Sequence, residues 1–177
     1  MFKKQWPAFL LAFVLPLIGV YWWWGGFNSA KVTDGESGPY FYAYLEHSGD
    51  IAKLPKTQEK VFRLLKQAGI EPAETVTVLL TDPRKTAKRD QRARTGYRIP
   101  LDAKLPAELF SDVLPRRRVL SAKVQAAAML APGKAYQALH DHLKKRGLDI
   151  TLPAVEIYRP SGTPTRVGEL TVEIEQP

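Results

Sequence analysis

The chain has 177 residues, of which 26 are lysine or arginine and 18 are aspartate or glutamate, so its formal net charge is +8 at neutral pH. It contains no cysteine, which excludes disulfides, thiolate metal sites and cysteine nucleophiles. The positive charge bears on the partners of the protein rather than on its fold.

A transmembrane helix is the first predicted element, within residues 1–30. No charged residue occurs between Lys4 and Lys31, and the stretch from Pro7 to Trp24 is almost entirely apolar. About 20 helical residues span the roughly 30 Å of bilayer hydrocarbon, so Pro7 to Trp24 is predicted to contact membrane lipid. A cleaved signal peptide is the alternative, but its apolar region would be shorter and would end at a small-x-small site.

The lysines around this helix predict where the rest of the chain lies. Lys3 and Lys4 precede the helix, and only Lys31 follows it closely. Because positive residues favour the cytoplasmic side, we predict a single-pass protein of the inner (cytoplasmic) membrane. Its main domain is then expected on the periplasmic or other extracytoplasmic side.

Residues 31–38 are predicted to be a polar linker, and residues 39–177 to form one domain. The alternating aromatic residues from Tyr40 to Glu46 indicate a strand. A helix follows, with Val61 and Leu65 on its apolar face. Two further strands are predicted at Thr75 to Leu80 and at Gly96 to Leu101.

The same order of elements is predicted a second time. A long strand from Arg118 to Leu130 precedes a helix whose apolar face includes Leu139, and strands follow at Ala154 to Tyr158 and Leu170 to Glu175. The predicted fold class is therefore α+β. The N-terminal transmembrane helix is followed by two tandem β-α-β-β units, which form one antiparallel sheet with two helices on one face.

Four short motifs in this order resemble the GyrI-like small-molecule-binding family, the effector-binding domain of AraC- and MerR-type regulators. They are Glu46-His47-Ser48-Gly49-Asp50, Thr81-Asp82-Pro83, Leu130 to Tyr136 and Val155-Glu156-Ile157-Tyr158. The resemblance covers nearly all of Tyr40 to Glu175. It implies a fold of two four-element units and a ligand-contacting glutamate in the penultimate strand, here Glu156. Ile51 departs from the aromatic residue that the family often has there, and no DNA-binding helices precede the domain, which argues against a transcription factor. Because the domain is expected outside the cytoplasm, nucleic acid is not a predicted partner.

Glu156 is the main candidate for ligand binding. In its strand, Val155 and Ile157 face one way, and Ala154, Glu156 and Tyr158 face the other. If the helices cover the Val155 face, Glu156 points to the concave side of the sheet. The remaining candidates are aromatic. Tyr158 shares the side of Glu156 in the same strand, Tyr40, Tyr42 and Tyr44 could line that side, and Tyr136 at the head of the second helix could close the pocket or simply pack. A carboxylate among aromatic rings suits an organic cation, whereas a surface glutamate paired with Arg98 or Arg159 is the alternative.

No metal site, cofactor or catalytic triad is predicted. His140 and His142 are two residues apart on a helix and point to different faces. His47 is more consistent with a hydrogen bond in a turn than with catalysis. The sequence has no phosphate-binding glycine-rich loop and no nucleophile elbow.

The segment from Arg84 to Arg98 contains seven lysines or arginines and one acidic residue. It is predicted to be a solvated loop that could lean towards anionic lipid or an acidic protein. The leading functional prediction is a membrane-tethered sensor or scavenger of an amphipathic small molecule, cationic or neutral. The alternatives are a hydrolase of electrophilic small molecules with Glu156 as general base, and a membrane-anchored protein–protein adaptor.

Overall fold

Eight strands in the order β1-β6-β8-β7-β3-β4-β2-β5 form a single antiparallel sheet. The computed structural model describes residues 6–163 and 166–175. Its helices are α1 Trp6–Trp23, α2 Leu54–Gln67 and α3 Ala131–Lys144, and its strands are β1 Lys31–Ser37, β2 Tyr40–Ser48, β3 Thr75–Leu79, β4 Arg92–Arg98, β5 Phe110–Leu114, β6 Arg117–Gln125, β7 Ala154–Arg159 and β8 Glu169–Glu175. The predicted α+β class and single antiparallel sheet are both found.

The two units β2-α2-β3-β4 and β6-α3-β7-β8 follow each other along the chain, and each helix ends in the same way. Gly69 and Gly147 adopt positive φ angles of 72° and 71°. The amides of Ile70 and Leu148 then donate to the carbonyls of Leu65 (2.9 Å) and Leu143 (3.1 Å). These are the bonds of a Schellman cap, which glycine favours because it lacks a Cβ.

The predicted transmembrane helix is wrong. No helix in the described part of the chain is long and apolar enough to cross a membrane. The apolar run is helical only over the 18 residues of α1, about 27 Å at 1.5 Å per residue, and the chain turns at Gly25. The prediction that Pro7 to Trp24 contacts lipid is therefore unsupported. The predicted cellular location also depended on Lys3 and Lys4, which lie outside the described residues, and it stays a prediction.

Two strands were not expected from the sequence. Residues 31–38, interpreted as a linker, contain β1, which pairs with β6 along its whole length. Strand β5 extends the other edge of the sheet beside β2. In addition, β4 begins at Arg92, four residues before the predicted start, and β6 ends at Gln125 rather than at Leu130.

The sheet is strongly curled, because two very short connections cross it. Strands β1 and β2 lie six positions apart, yet only Gly38 and Pro39 join them, and only Pro115 and Arg116 join β5 to β6. Three Cα–Cα steps reach about 11 Å, whereas six strand spacings in a flat sheet measure about 29 Å. The hydroxyl of Tyr40 in β2 accordingly donates to the Glu173 carboxylate in β8 at 3.1 Å.

The concave side of the curled sheet is filled by the protein's own side chains. An apolar cluster there contains Tyr42, Tyr44, Val76, Val78, Val155 and Ile157. The helices cover the convex side, where α2 packs on β2 and β4 while α3 packs on β1, β6 and β8. The largest cluster, beneath α3, includes Leu139, Leu143, Val172 and Ile174.

Candidate ligand-binding site

The two helices leave the middle of the convex face uncovered. Between the strands under α3 and those under α2 lie β7 and β3, which neither helix covers. Two strand spacings measure about 10 Å, which is the diameter of one helix with its side chains. The gap holds a cavity of about 1120 Å³, large enough for a bulky organic molecule.

The cavity is lined mainly by apolar and aromatic side chains. Leu54 and Phe62 come from the α2 side, and Tyr136 comes from α3. Tyr97 of β4 and Tyr158 of β7 contribute further rings from the sheet. Aromatic faces combine a large apolar area with a negative quadrupole, so this lining suits lipophilic ligands and organic cations in particular.

Glu156 lies in the floor of the cavity. In the strand register it is opposite Thr77 of β3 on one side and Val172 of β8 on the other. Burial raises the pKa of this carboxyl, and hydrogen bonding with Tyr136 lowers the pKa to a smaller extent. Among the ion pairs formed by described residues, none includes Glu156, so the predicted alternative of pairing with Arg98 or Arg159 is not found. Both arginines instead pair with Glu74, at 2.8 Å.

Tyr136 stands beside Glu156 in the wall of the cavity. Its hydroxyl oxygen is buried and lacks a well-aligned hydrogen-bond partner in the described part of the chain. Burial and the nearby Glu156 carboxylate both raise the pKa of Tyr136 well above its ordinary value. The phenol therefore stays protonated at neutral pH and offers a hydrogen-bond donor to Glu156 or to a ligand.

The polar floor extends from Glu156 across the neighbouring strands. The hydroxyls of Thr77 and Thr95 are 3.0 Å apart and buried. Thr77 pairs with Glu156 on one side and with Thr95 on the other. In the described part of the chain neither hydroxyl forms a hydrogen bond with Glu156, so the carboxylate remains available to a ligand.

The structure brings only half of the predicted site residues together. Glu156, Tyr158 and Tyr136 line the cavity. Tyr42 and Tyr44 instead lie in the concave cluster, and Tyr40 packs against it. The prediction that these three tyrosines share a side with Glu156 is wrong, because the strand register aligns Tyr44 with Gly96, Val76 and Ile157, on the side opposite to Glu156. The helices cover the Glu156 face and not the Val155 face.

The three tyrosines on the concave side pack in one apolar cluster and contact two arginines. The rings of Tyr42 and Tyr44 stack with centroids 5.2 Å apart. The guanidinium groups of Arg94 and Arg98 lie 5.1 Å and 4.9 Å from the ring centroids of Tyr44 and Tyr40. Burial, followed by the charge of Asp112, raises the pKa of Tyr42 to about 12.

Several cavity residues were not singled out from the sequence as candidates. Asp82 and Arg84 line the rim, where Arg84 donates to both carboxylate oxygens of Asp82 at 3.2 and 3.1 Å. Hydrogen bonds of the buried Gln91 hold this rim in place, through Nε2 to the carbonyls of Pro83 and Thr86 and through Oε1 from the amide of Ile51. The motif Thr81-Asp82-Pro83 was the sequence signal for this rim, although no role was assigned to it.

The basic segment from Arg84 to Arg98 is largely neutralised by neighbouring carboxylates. Six of its seven cations form ion pairs: Arg84–Asp82 (3.1 Å), Lys85–Asp149 (2.8 Å), Lys88–Asp50 (3.1 Å), Arg89–Asp90 (3.5 Å), Arg94–Asp112 (3.0 Å) and Arg98–Glu74 (2.8 Å). Its last residues belong to β4 rather than to a loop. The predicted attraction to anionic lipid is therefore unsupported, and an acidic protein partner stays a prediction.

The histidines are not arranged around a metal ion. His47 Nδ1 lies 2.9 Å from the Thr57 hydroxyl, and its Nε2 lies 3.1 Å from the Asp50 carbonyl, so it links β2 to α2 and to the turn before this helix. Within residues 6–163 and 166–175, no three His, Asp or Glu side chains are grouped so that they could hold a metal.

Solved structures of low sequence identity have the same fold. The C-terminal domain of EcmrR superimposes with a TM-score of 0.64 at 12% identity, over 82% of this chain and 96% of that one. A Vibrio cholerae integron cassette protein gives 0.56 at 6% identity, over 84% and 97%. SAV2435, in a structure with bound tetraphenylphosphonium, gives 0.54 at 7% identity, over 82% and 94%. At these identities the likeness shows the fold alone.

None of the curated proteins matches the sequence. The family model of the GyrI-like small molecule binding domain, however, matches residues 38–177, which include every strand from β2 to β8 together with α2 and α3. The resemblance inferred from the four motifs is thereby confirmed. The chain belongs to the GyrI-like small-molecule-binding domain family.

Proposed function

We propose that the protein binds a bulky, lipophilic organic cation in the cavity between α2 and α3, with Glu156 as the counter-charge. The observation that carries this proposal is the environment of Glu156. Its carboxyl lies in the floor of an aromatic cavity, where burial raises its pKa, and none of the ion pairs formed by the described residues includes it. Buried carboxylates are normally paired, so an acidic group that is left unpaired inside a cavity suits a ligand that supplies the positive charge.

The fold likeness to SAV2435 supports the choice of ligand class. That protein's structure contains tetraphenylphosphonium, which is a lipophilic monocation of about the required bulk. The Asp82–Arg84 pair at the rim is neutral as a whole, so Glu156 determines the charge of the interior. A single positive charge on the ligand would balance it.

Calorimetric titration with tetraphenylphosphonium tests the proposal. At an effective dielectric constant of about 20, a carboxylate and a cation about 5 Å apart attract by roughly 3 kcal/mol, and desolvation offsets part of this. Glu156→Gln should therefore weaken binding by about tenfold to a hundredfold. Binding to the wild-type protein should also weaken as the pH falls and Glu156 becomes protonated, because the raised pKa of its carboxyl brings this loss to a higher pH than for an exposed glutamate.

Glu59→Gln provides the matched control, because Glu59 is exposed on α2 and the substitution changes the net charge by the same amount. Triphenylphosphine oxide, a neutral ligand of similar shape, should bind the wild-type and Glu156→Gln proteins about equally. If Glu156→Gln and Glu59→Gln bound tetraphenylphosphonium equally well, the site assignment would be wrong.

The hydrolase alternative stays a prediction. A general base needs a partner that can protonate the leaving group. Tyr136 is the neighbouring titratable group, but its raised pKa makes it a weak acid at neutral pH. This favours a hydrogen-bonding role in ligand binding over a catalytic one.

A further inference from the structure

The N-terminal end of α3 lies between the cavity and the segment that follows α1. Ala128, Pro132, Gly133 and Tyr136 line the cavity. The opposite side of the same stretch contacts residues 24–28, which we call the elbow because they connect α1 to the body of the protein. Any movement of this stretch would therefore change its contacts both with the cavity and with the elbow.

Four hydrogen bonds join the elbow to the chain between the end of β6 and the first turn of α3. The amide of Ala127 donates to the Trp24 carbonyl at 2.9 Å, and the Asn28 side-chain amide donates to the Gln125 carbonyl at 2.6 Å. The Lys134 ammonium group donates to the carbonyls of Gly26 (2.6 Å) and Asn28 (3.0 Å). Lys134 directly follows the cavity residue Gly133, so this contact lies next to the cavity wall.

The elbow also contacts the body through its backbone, which leaves little freedom between them. Gly25 and Gly26 are buried. A Cβ at Gly25 would lie 2.5 Å from the Gln125 carbonyl oxygen and 3.0 Å from the Ala126 Cα. The amide of Gly26 donates to the Tyr21 carbonyl in the last turn of α1 at 2.8 Å. The helix end, the elbow and the start of α3 thus form one continuous set of short contacts.

We propose that occupancy of the cavity changes the position of α1 through the Lys134 contact, so that α1 is the output element of the binding site. This inference rests on the proposed function. A ligand that contacts Tyr136 and Gly133 biases the position of the α3 N-terminus, and the elbow follows because Lys134 is bound to its carbonyls. A ligand can shift the α3 N-terminus from one position to another only if it contacts the protein differently in the two positions. Contacts with Tyr136 and Gly133 in the cavity wall would provide that difference.

The chain contains a natural probe for this movement. Its four tryptophans are Trp6, Trp22, Trp23 and Trp24, all in α1 or at the start of the elbow. Trp22, Trp23 and Trp24 do not line the cavity. A change in tryptophan emission on ligand binding would therefore report on α1 and the elbow rather than on the ligand contacts.

The experiment titrates the full-length chain with tetraphenylphosphonium and follows heat and tryptophan emission in parallel. The expected result is a saturable change in emission whose midpoint equals the calorimetric one. Lys134→Met should still bind the cation but lose most of the emission change at saturation, and Asn28→Ala should also reduce it. Lys144→Met, at an exposed position in the last turn of α3, is the matched control and should retain the full change. Comparison at saturating ligand makes the amplitude independent of affinity.

Two negative results are distinguishable. If no heat of binding is measured, the proposed function and the coupling are both refuted. If heat is measured but emission stays constant, or if Lys134→Met and Asn28→Ala both keep the full amplitude, only the coupling is refuted. Glu156→Gln at the same ligand concentration shows whether quenching by unbound cation contributes, because its weaker binding should lower the heat and the emission change in the same proportion.

Discussion

Replacing Glu156 by glutamine should stabilise the unliganded protein at neutral pH, although the same change should weaken ligand binding. The pKa of Glu156 is raised above its ordinary value of 4.5 in the folded protein, chiefly by burial. Below pH 4.5 the Glu156 carboxyl is protonated in both the folded and unfolded states, so its ionisation does not lower the free energy of unfolding. As the pH rises above 4.5, the unfolded chain ionises first, so stability falls until the pH exceeds the folded-state pKa.

The size of the effect follows from proton linkage. Within this pH window the free energy of unfolding of the wild-type protein falls by about 1.4 kcal/mol per pH unit for one group. For a chain of this length that corresponds to a decrease in Tm of about 3 to 5 °C per pH unit. Glu156→Gln has no titrating group at this position, so its advantage should be near zero at pH 4 and grow with pH to a plateau.

Thermal and urea unfolding of both proteins between pH 4 and pH 9 measures this difference. Glu173→Gln is the matched control, since Glu173 is buried in the adjacent strand β8 on the concave side. It accepts hydrogen bonds from Ser37 and Tyr40 and pairs with Arg117 at 3.0 Å. Glu173→Gln leaves the Arg117 charge without its partner and should cost about 3 to 5 kcal/mol.

The two glutamates should therefore respond to the same substitution with opposite signs. The reasoning would be refuted if Glu156→Gln were no more stable than the wild-type protein at pH 8. It would equally be refuted if the advantage were the same at pH 4 as at pH 8, because an effect independent of pH would come from packing and not from ionisation.

Two further substitutions test the sheet that carries the site. A Cβ at Gly96 would overlap the Ala43 carbonyl oxygen and lie 2.8 Å from the Tyr44 Cα, so Gly96→Ala should cost more than about 3 kcal/mol in urea unfolding. Gly35→Ala in β1, where a Cβ has no neighbour within 4 Å, is its control, and an equal loss would contradict the packing argument. Thr77→Val should cost about 1 to 3 kcal/mol by leaving the Thr95 hydroxyl unpaired, whereas the double variant with Thr95→Val should recover most of that loss in a double-mutant cycle.

Local sequence patterns predicted the elements of the repeated unit because their causes are local. The apolar face of α2, with Val61 and Leu65, and the caps at Gly69 and Gly147 follow from helical periodicity and backbone conformation. Strands β1 and β5 are different. Strand β1 has a single apolar side chain, Val32, and β5 is only five residues long. Both are strands because they pair with β6 and β2 at the edges of an existing sheet.

The face on which Glu156 lies could not be obtained in the same way. Alternation places Glu156 and Val155 on opposite sides of β7 but does not say which side the helices cover. In β3 both sides are buried, with Val76 and Val78 on one and Thr77 on the other, so polarity gives no answer. The two-residue connections after Ser37 and Leu114 determine which side of the sheet becomes concave. Their effect follows only from the strand order, which the sequence does not give.

Those connections also explain why the cavity exists. They force the ends of the sheet together, so that the concave side closes around the stacked rings of Tyr42 and Tyr44. The helices must then lie on the convex side, where outward curvature makes neighbouring helices diverge. With α2 and α3 each covering their own strands, β3 and β7 are left uncovered across about one helix diameter. Because neither α2 nor α3 lies over β3 and β7, neither helix places a basic side chain against Glu156, and its carboxylate has no ion-pair partner among the described residues.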